Sequence, residues 1–130
     1  MRILNDNPLE DDDQVAAACY LDLLTSPAGD GKLFWFHTPN GGFRNKKTAG
    51  KMKAQGVKKG IPDIIIEEIP PKFPEYKGVR IELKRRKGRP SDVKKEQREI
   101  LDRYKLRGYL VFVCFGIDDV IATLRKCGFA

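Results

Sequence analysis

The sequence is short of several features on which common functions rest. It holds one histidine, one tryptophan and three cysteines, and no run of about 18 apolar residues. The missing apolar run excludes a membrane-spanning helix. The opening MRILNDNPLEDDDQ lacks the apolar core of a signal peptide, so a cytoplasmic location is expected. Cys19, Cys114 and Cys127 are odd in number, widely spaced and each set among apolar residues. That pattern reads as three reduced core thiols rather than a disulfide framework. A structural zinc site would want paired cysteines a few residues apart, and there are none.

What the chain has in quantity is charge. The net balance over 130 residues is +7, and it is unevenly spread. Residues 6–13 carry five acids and no base; Arg44 to Lys59 carries seven Lys/Arg and no acid; Lys84 to Arg98 carries eight Lys/Arg against two acids. Two basic blocks on one small domain are the footprint of a polyanionic partner, most simply nucleic acid. A solvated basic surface is the plainer alternative.

The length suits a single domain over residues 1–130, with no repeat, low-complexity tract or linker. Ala16, Cys19, Tyr20, Leu23 and Leu24 form an apolar stripe that predicts a helix over 11–25, with acids at its start where the helix dipole favours them. A strand is expected over 33–39, a turn at 40–42, and a short helix in the basic stretch NKKTAGKMKAQG with Ala49 and Met52 as anchors. Further strands are expected at 62–68 and 79–86. A helix over 92–106 follows, with Ser91 as its N-cap, and ends near Gly108. YLVFVCF, 109–115, is a continuous apolar run of the kind that predicts a strand covered on both faces. DDVIATLRKCG closes the chain as an amphipathic helix. The order α-β-(α)-β-β-α-β-α predicts an α/β fold with a mixed sheet flanked by helices.

Asp63 stands out. It follows a Gly-Ile-Pro turn and opens a strand of three isoleucines, where a carboxylate is costly without compensation. In VRIELKRR, alternation puts Glu82 and Lys84 on one face, roughly 7 Å apart by strand rise, and Arg86 with them, while Arg85 points away. The helix that follows presents Val93, Gln97, Ile100, Leu101 and Tyr104 on one stripe, so Gln97 either faces the polar side of that strand or sits in solvent at the stripe's edge. Two carboxylates from neighbouring strands suit a hard divalent cation such as Mg²⁺, which favours carboxylates, water and phosphate oxygens. Lys84 then stands where it can orient a water or stabilise charge developing on phosphorus.

Pro62-Asp63 followed by Glu82-Leu83-Lys84 matches the PD-(D/E)xK pattern of the restriction-endonuclease-like superfamily. Over residues 37–119, HTPNGGFRNKKTAGKMKAQGVKKGIPDIII, GVRIELKRRKGRPSDVKKEQREIL and RGYLVFVCFGIDD resemble the VRR-NUC nuclease family, especially its short stand-alone members from phages and bacteria. The resemblance implies a restriction-endonuclease-like core and an Mg²⁺- or Mn²⁺-dependent endonuclease acting on structured or branched DNA, such as four-way Holliday junctions, as a homodimer. It implies Asp63, Glu82 and the Leu83 carbonyl as metal ligands, with Glu10 or Asp13 as the first-helix acid. Lys84 would be the catalytic lysine and Gln97 its companion amide. His37 and Asn40 would lie beside the cleft, with Arg44, Lys47, Lys59 and Arg86 as phosphate contacts. For the lone His37 a purely structural role is the alternative. Glu67 and Glu68 are expected in solvent, although Glu67 shares a face with Asp63. The competing functions are a non-catalytic nucleic-acid-binding module and a nuclease subunit dependent on a larger partner.

Overall fold

A computed structural model of the chain describes residues 10–39 and 46–130. In chain order the elements are α1 (Glu10–Leu21), β1 (Trp35–His37), α2 (Lys46–Ala54), β2 (Ile64–Ile66), β3 (Val79–Lys84), α3 (Lys95–Leu106), β4 (Leu110–Phe115) and α4 (Ile117–Cys127). A 3₁₀ turn at Pro90–Asp92 precedes α3. The four strands form one mixed sheet in the order β1-β2-β3-β4, antiparallel except for the parallel pair β3 and β4. This is the α/β architecture the element order predicts.

Cross-strand partners share a face, and the register gives the two faces opposite characters. One row runs His37, Ile64, Ile81, Phe112; the next runs Phe36, Ile65, Arg80, Val111. On the first face Ile64, Ile66, Val79, Ile81 and Leu83 are buried against Ala17 and Leu21 of α1 and Val120, Leu124 and Cys127 of α4. At about 1.5–3 kcal/mol for each large apolar side chain buried, this layer anchors the central strands. On the second face, every side chain that β3 contributes is charged, and all of them are buried. The chain thus spends its apolar core on one side of the sheet and keeps ionisable groups on the other.

Arg80 shows how that polar face is held. Its guanidinium lies 4.8 Å from the Tyr104 ring and 4.2 Å from the Tyr109 ring. It pairs with Glu67 and donates to the carbonyls of Ile66 and Val79 at 3.3 and 3.1 Å. Two ring faces and a carboxylate offset the desolvation of the cation. Because Tyr104 belongs to α3, the same clamp ties that helix to the sheet. Glu67 is therefore an ion-pair partner, and Glu68 is not solvated as expected. Glu68 is buried and accepts the Phe34 N–H at 3.0 Å, satisfying a backbone donor beside the edge strand β1.

Several other expectations need correction. Helix α1 ends at Leu21, and its buried positions are Asp13, Ala17 and Leu21, leaving Cys19 and Leu23 exposed. Tyr20 and Leu24 of the expected stripe do pack against the core, which centres on Ala17 and Leu21, while Leu23 lies beyond the helix end. Only Cys114 and Cys127 are core thiols. Strand β4 is a sheet edge packed by both α4 and α3, and its residues, Cys114 excepted, are half-buried rather than buried, so the continuous apolar run marks partial cover on both faces. No residue of α2 is buried, and Ala49 does not anchor it. Ser91 lies inside the 3₁₀ turn, and the N-cap position of α3 is Lys94. The closing helix α4 fits its sequence better: Asp118 and Asp119 occupy its first turn, Arg125 and Lys126 its last, and Gly128 ends it in the left-handed conformation.

Candidate active site

The polar face opens into a cleft of about 710 Å³ whose walls include Asp63, Glu82, Lys84 and Gln97. Each arrives from a different structural cause. Ile64–Ile66 is pinned in the core, which fixes the residue before it; Asp63 accepts the Leu83 N–H at 2.6 Å, extending the β2–β3 pairing with a side-chain oxygen. Glu82 and Lys84 follow from the alternation of β3. Gln97 comes from the first turn of α3 and joins the others. Its amide nitrogen donates to Glu82 Oε1 at 2.8 Å, and its Oε1 accepts from Lys84 Nζ and from the Lys94 N–H, both at 2.9 Å. Lys84 Nζ also lies 3.8 Å from Glu82 Oε1. One amide thereby fixes a carboxylate, an ammonium and a helix N-terminus together.

The turn before Asp63 depends on Gly60. Its φ is +81°, a left-handed value, and a Cβ there would stand 2.9 Å from the backbone of Glu96. Only glycine lets the 58–63 loop rest directly on the first turn of α3.

The electrostatics are those of a strained pair of acids. Burial pushes the Glu82 carboxyl up to about 8, with the nearby Asp63 charge adding to the rise and Lys84 opposing it. Asp63 is also raised, chiefly by burial, against the pull of the Leu83 N–H bond. Glu82 Oε2 is buried with no donor of its own, and the group it can meet is the Asp63 carboxyl, with which it can only share a proton. Buried polar atoms are nearly always paired, so an orphan carboxylate oxygen in a cleft is notable. A hard cation held by Asp63 and Glu82 would relieve both features. Two carboxylates are what an ion of the Mg²⁺ type would take from the chain, since it keeps waters and phosphate oxygens in its shell; among the described residues no cluster of three or more His, Cys, Asp or Glu stands ready to hold a metal.

The first-helix alternatives separate clearly. Glu10 lines the cleft, and its carboxyl is raised by partial burial there, with Lys84 opposing. Asp13 instead lies buried 3.6 Å from Arg86. Arg86 is thus turned to α1 rather than sharing the Glu82/Lys84 face, and Arg85, expected to point away, lines the cleft. The cause is that β3 ends at Lys84 and the chain turns, so alternation does not extend to residues 85 and 86. The Leu83 side chain is in the core, and its N–H is the group that engages Asp63.

His37 is exposed at the cleft wall, and its Nδ1 is 2.7 Å from the Asp63 carbonyl oxygen. Lys47 is exposed on α2 and lines neither this cleft nor the groove that holds Lys59 on the far side of the 58–63 loop. Asn40 and Arg44 lie outside the described residues, as does the expected turn at 40–42. Sequence reasoning missed Asp11 and Lys94 as cleft residues. The only available signal for Lys94 was its place just before the Gln97 turn.

The fold and this cleft define the class: a nuclease-like α/β domain. A solved structure described as a VRR_NUC domain protein is similar to this chain with a TM-score of 0.72 and 29% identity, over 92% of this chain and 88% of that one. That likeness bears out the VRR-NUC resemblance read from the sequence and supports the VRR-NUC family for this chain. No family model and no curated protein matches it.

Proposed function

We propose that the chain is an Mg²⁺- or Mn²⁺-dependent endonuclease that hydrolyses phosphodiester bonds in DNA. The observation that carries this reading is the paired, desolvated carboxylates Asp63 and Glu82, with Lys84 hydrogen-bonded beside them and one Glu82 oxygen without a donor of its own. A module that only bound DNA would gain nothing from acids beside the phosphate, since they weaken binding unless a cation intervenes.

Asp63 and Glu82 would hold the ion, with Glu10 at the mouth and the Leu83 carbonyl as the further ligand implied by the resemblance. The ion, when bound, would supply charge neutralisation on the phosphodiester and make a bound water more acidic than bulk water. The chain's own groups do the rest. Lys84 has three N–H donors. One is committed to Gln97, which leaves the ammonium fixed but still able to donate to a phosphate oxygen or to the attacking water. Gln97 keeps Glu82 and Lys84 from closing fully on each other, because it bonds to both. As water attacks phosphorus and gives up a proton to solvent, the P–O bond in line with it breaks, the departing oxygen takes a proton from solvent, and Lys84 opposes the negative charge that develops.

Structured or branched DNA such as four-way junctions is proposed as the substrate, and a homodimer as the acting form. The half-covered apolar edge strand β4 is consistent with a pairing edge between copies. The test is cleavage of duplex, single-stranded, flap and four-way-junction DNA with Mg²⁺ or Mn²⁺, alongside Asp63→Ala and Lys84→Ala. Cleavage by the parent protein and loss of at least a hundredfold in both variants is expected. Absence of cleavage with every metal and substrate, or variants as active as the parent, would remove the catalytic assignment.

A further inference from the structure

The 58–63 loop has a second wall. On the side away from the cleft it forms, with α3, a groove of about 480 Å³. Lys58 and Lys59 edge it from the loop, and Arg103 and Arg107 from the helix, over a floor that includes Ile61, Ile100 and Tyr104. All four cations are exposed, and none forms an ion pair among the described residues. Glu96 and Glu99 also line the groove; Glu99 is 3.9 Å from Lys95 in an exposed pair. Arg103 and Arg107 stand outside both basic blocks of the sequence, and only the helix brings them opposite Lys58 and Lys59.

Cleft and groove share both walls. The loop delivers Asp63 to one and Lys58 and Lys59 to the other, while α3 delivers Gln97 to one and Arg103 and Arg107 to the other. The contact at Gly60 locks these walls together. From Gln97 to Arg107 is ten residues of helix, about 15 Å of rise. That length matches four to five base pairs of B-form DNA at about 3.4 Å each. Two pairs of cations facing each other over an apolar floor, across the loop–helix contact from the cleft, match a line of phosphates better than a compact anion.

We propose that this groove holds the sugar-phosphate backbone of the DNA arm beyond the cleaved bond. Arg103, Arg107, Lys58 and Lys59 then set the length and shape of substrate that binds, and take no part in the chemistry. The inference rests on the nuclease reading for its orientation, but its test does not.

Binding of a labelled duplex of about 30 base pairs would be followed by fluorescence anisotropy in EDTA across a salt series, for the full chain and for Arg103→Ala/Arg107→Ala. The double variant should bind about tenfold more weakly with a log–log salt slope shallower by about 2. Glu99→Gln should tighten binding, a gain that misfolding cannot produce. Lys58→Ala/Lys59→Ala on the opposite wall should repeat the loss. Unchanged affinity and slope would overturn the proposal. So would an equal loss in Lys32→Ala/Lys126→Ala, which removes two cations that do not line the groove, or a change of oligomeric state by light scattering with DNA affinity intact. A parent protein that cleaves nothing, yet shows this pattern, sinks the nuclease reading and leaves the groove assignment standing.

Discussion

Glu82→Gln offers the sharpest separation of stability from function in this molecule. The Glu82 carboxyl is pushed from an ordinary 4.5 to about 8, first by burial and then by Asp63. A shift of that size corresponds to at most about 5 kcal/mol of ionisation penalty in the metal-free protein at high pH. Some of that penalty is relieved by water entering an open cleft and by Asp63 taking up part of the proton, so about 1–3 kcal/mol should be recovered on neutralising the side chain. Because the folded value lies above the unfolded one, the favourable contribution of the neutral acid is complete below about pH 4.5 and is lost as pH rises through about 8. Glutamine keeps an oxygen for the Gln97 amide and puts donors where the orphan oxygen stands.

The assay is thermal unfolding in EDTA for parent and variant at pH 5 and pH 8.5. We expect Glu82→Gln to gain about 4–10 °C in Tm at pH 8.5, and much less at pH 5. Titrating groups that do not touch Glu82 act on both proteins alike and cancel in the comparison, while Asp63 is part of the same coupled pair and shares in the difference. Added Mg²⁺ should raise the Tm of the parent at pH 8.5 and hardly move that of the variant, which should also lose cleavage. A variant no more stable than the parent at pH 8.5, or a gain that does not depend on pH, would refute the argument that these carboxylates are held at a cost for a cation.

Further outcomes follow from individual contacts. Gln97→Ala should lower cleavage about 10–100-fold and cost about 1–3 kcal/mol of stability, because it frees Lys84, Glu82 and the Lys94 N–H from their shared amide; activity assays with denaturant melts check this. Gly60→Ala should cost about 2 kcal/mol or more in denaturant melts, since it combines a left-handed φ with a backbone contact at 2.9 Å. Arg80→Met should cost about 2–3 kcal/mol, as two buried carbonyls lose a donor and the tyrosine clamp loses its cation. Cys114 and Cys127 are pushed up to about 12 and about 11 by burial, so a thiol reagent at pH 8 should label one cysteine, Cys19, in the native protein and three after denaturation.

Much of this architecture was legible because local rules agreed with one another. Three consecutive isoleucines behind a Gly-Ile-Pro turn, the alternation of VRIELK and the apolar stripe of α3 each pointed to one element and one face. Combined, they put Asp63, Glu82, Lys84 and Gln97 on a common side. What failed did so where a period was carried past its element. Arg85 and Arg86 were assigned by strand alternation two residues after the strand had ended, and the α1 stripe was drawn through Leu23 although the helix stops at Leu21. Apolarity alone marks β4 as covered by helices, but it cannot distinguish a central strand from an edge strand.

Glu68 and Arg80 mark a different limit. Nothing local separates Glu68 from its neighbour Glu67, yet one is buried on a backbone N–H and the other pairs with Arg80. Their fates are decided by partners more than ten residues away in sequence, Phe34 just before β1 and Arg80 in β3. The same holds for the cleft and the groove, which exist because Gly60 lets a loop touch a helix that begins 35 residues later. That contact joins Asp63 to Gln97 on one side and Lys58 and Lys59 to Arg103 and Arg107 on the other. A substitution that loosened it would therefore disturb chemistry and arm binding together, whereas substitutions at Arg103 and Arg107 should disturb arm binding alone.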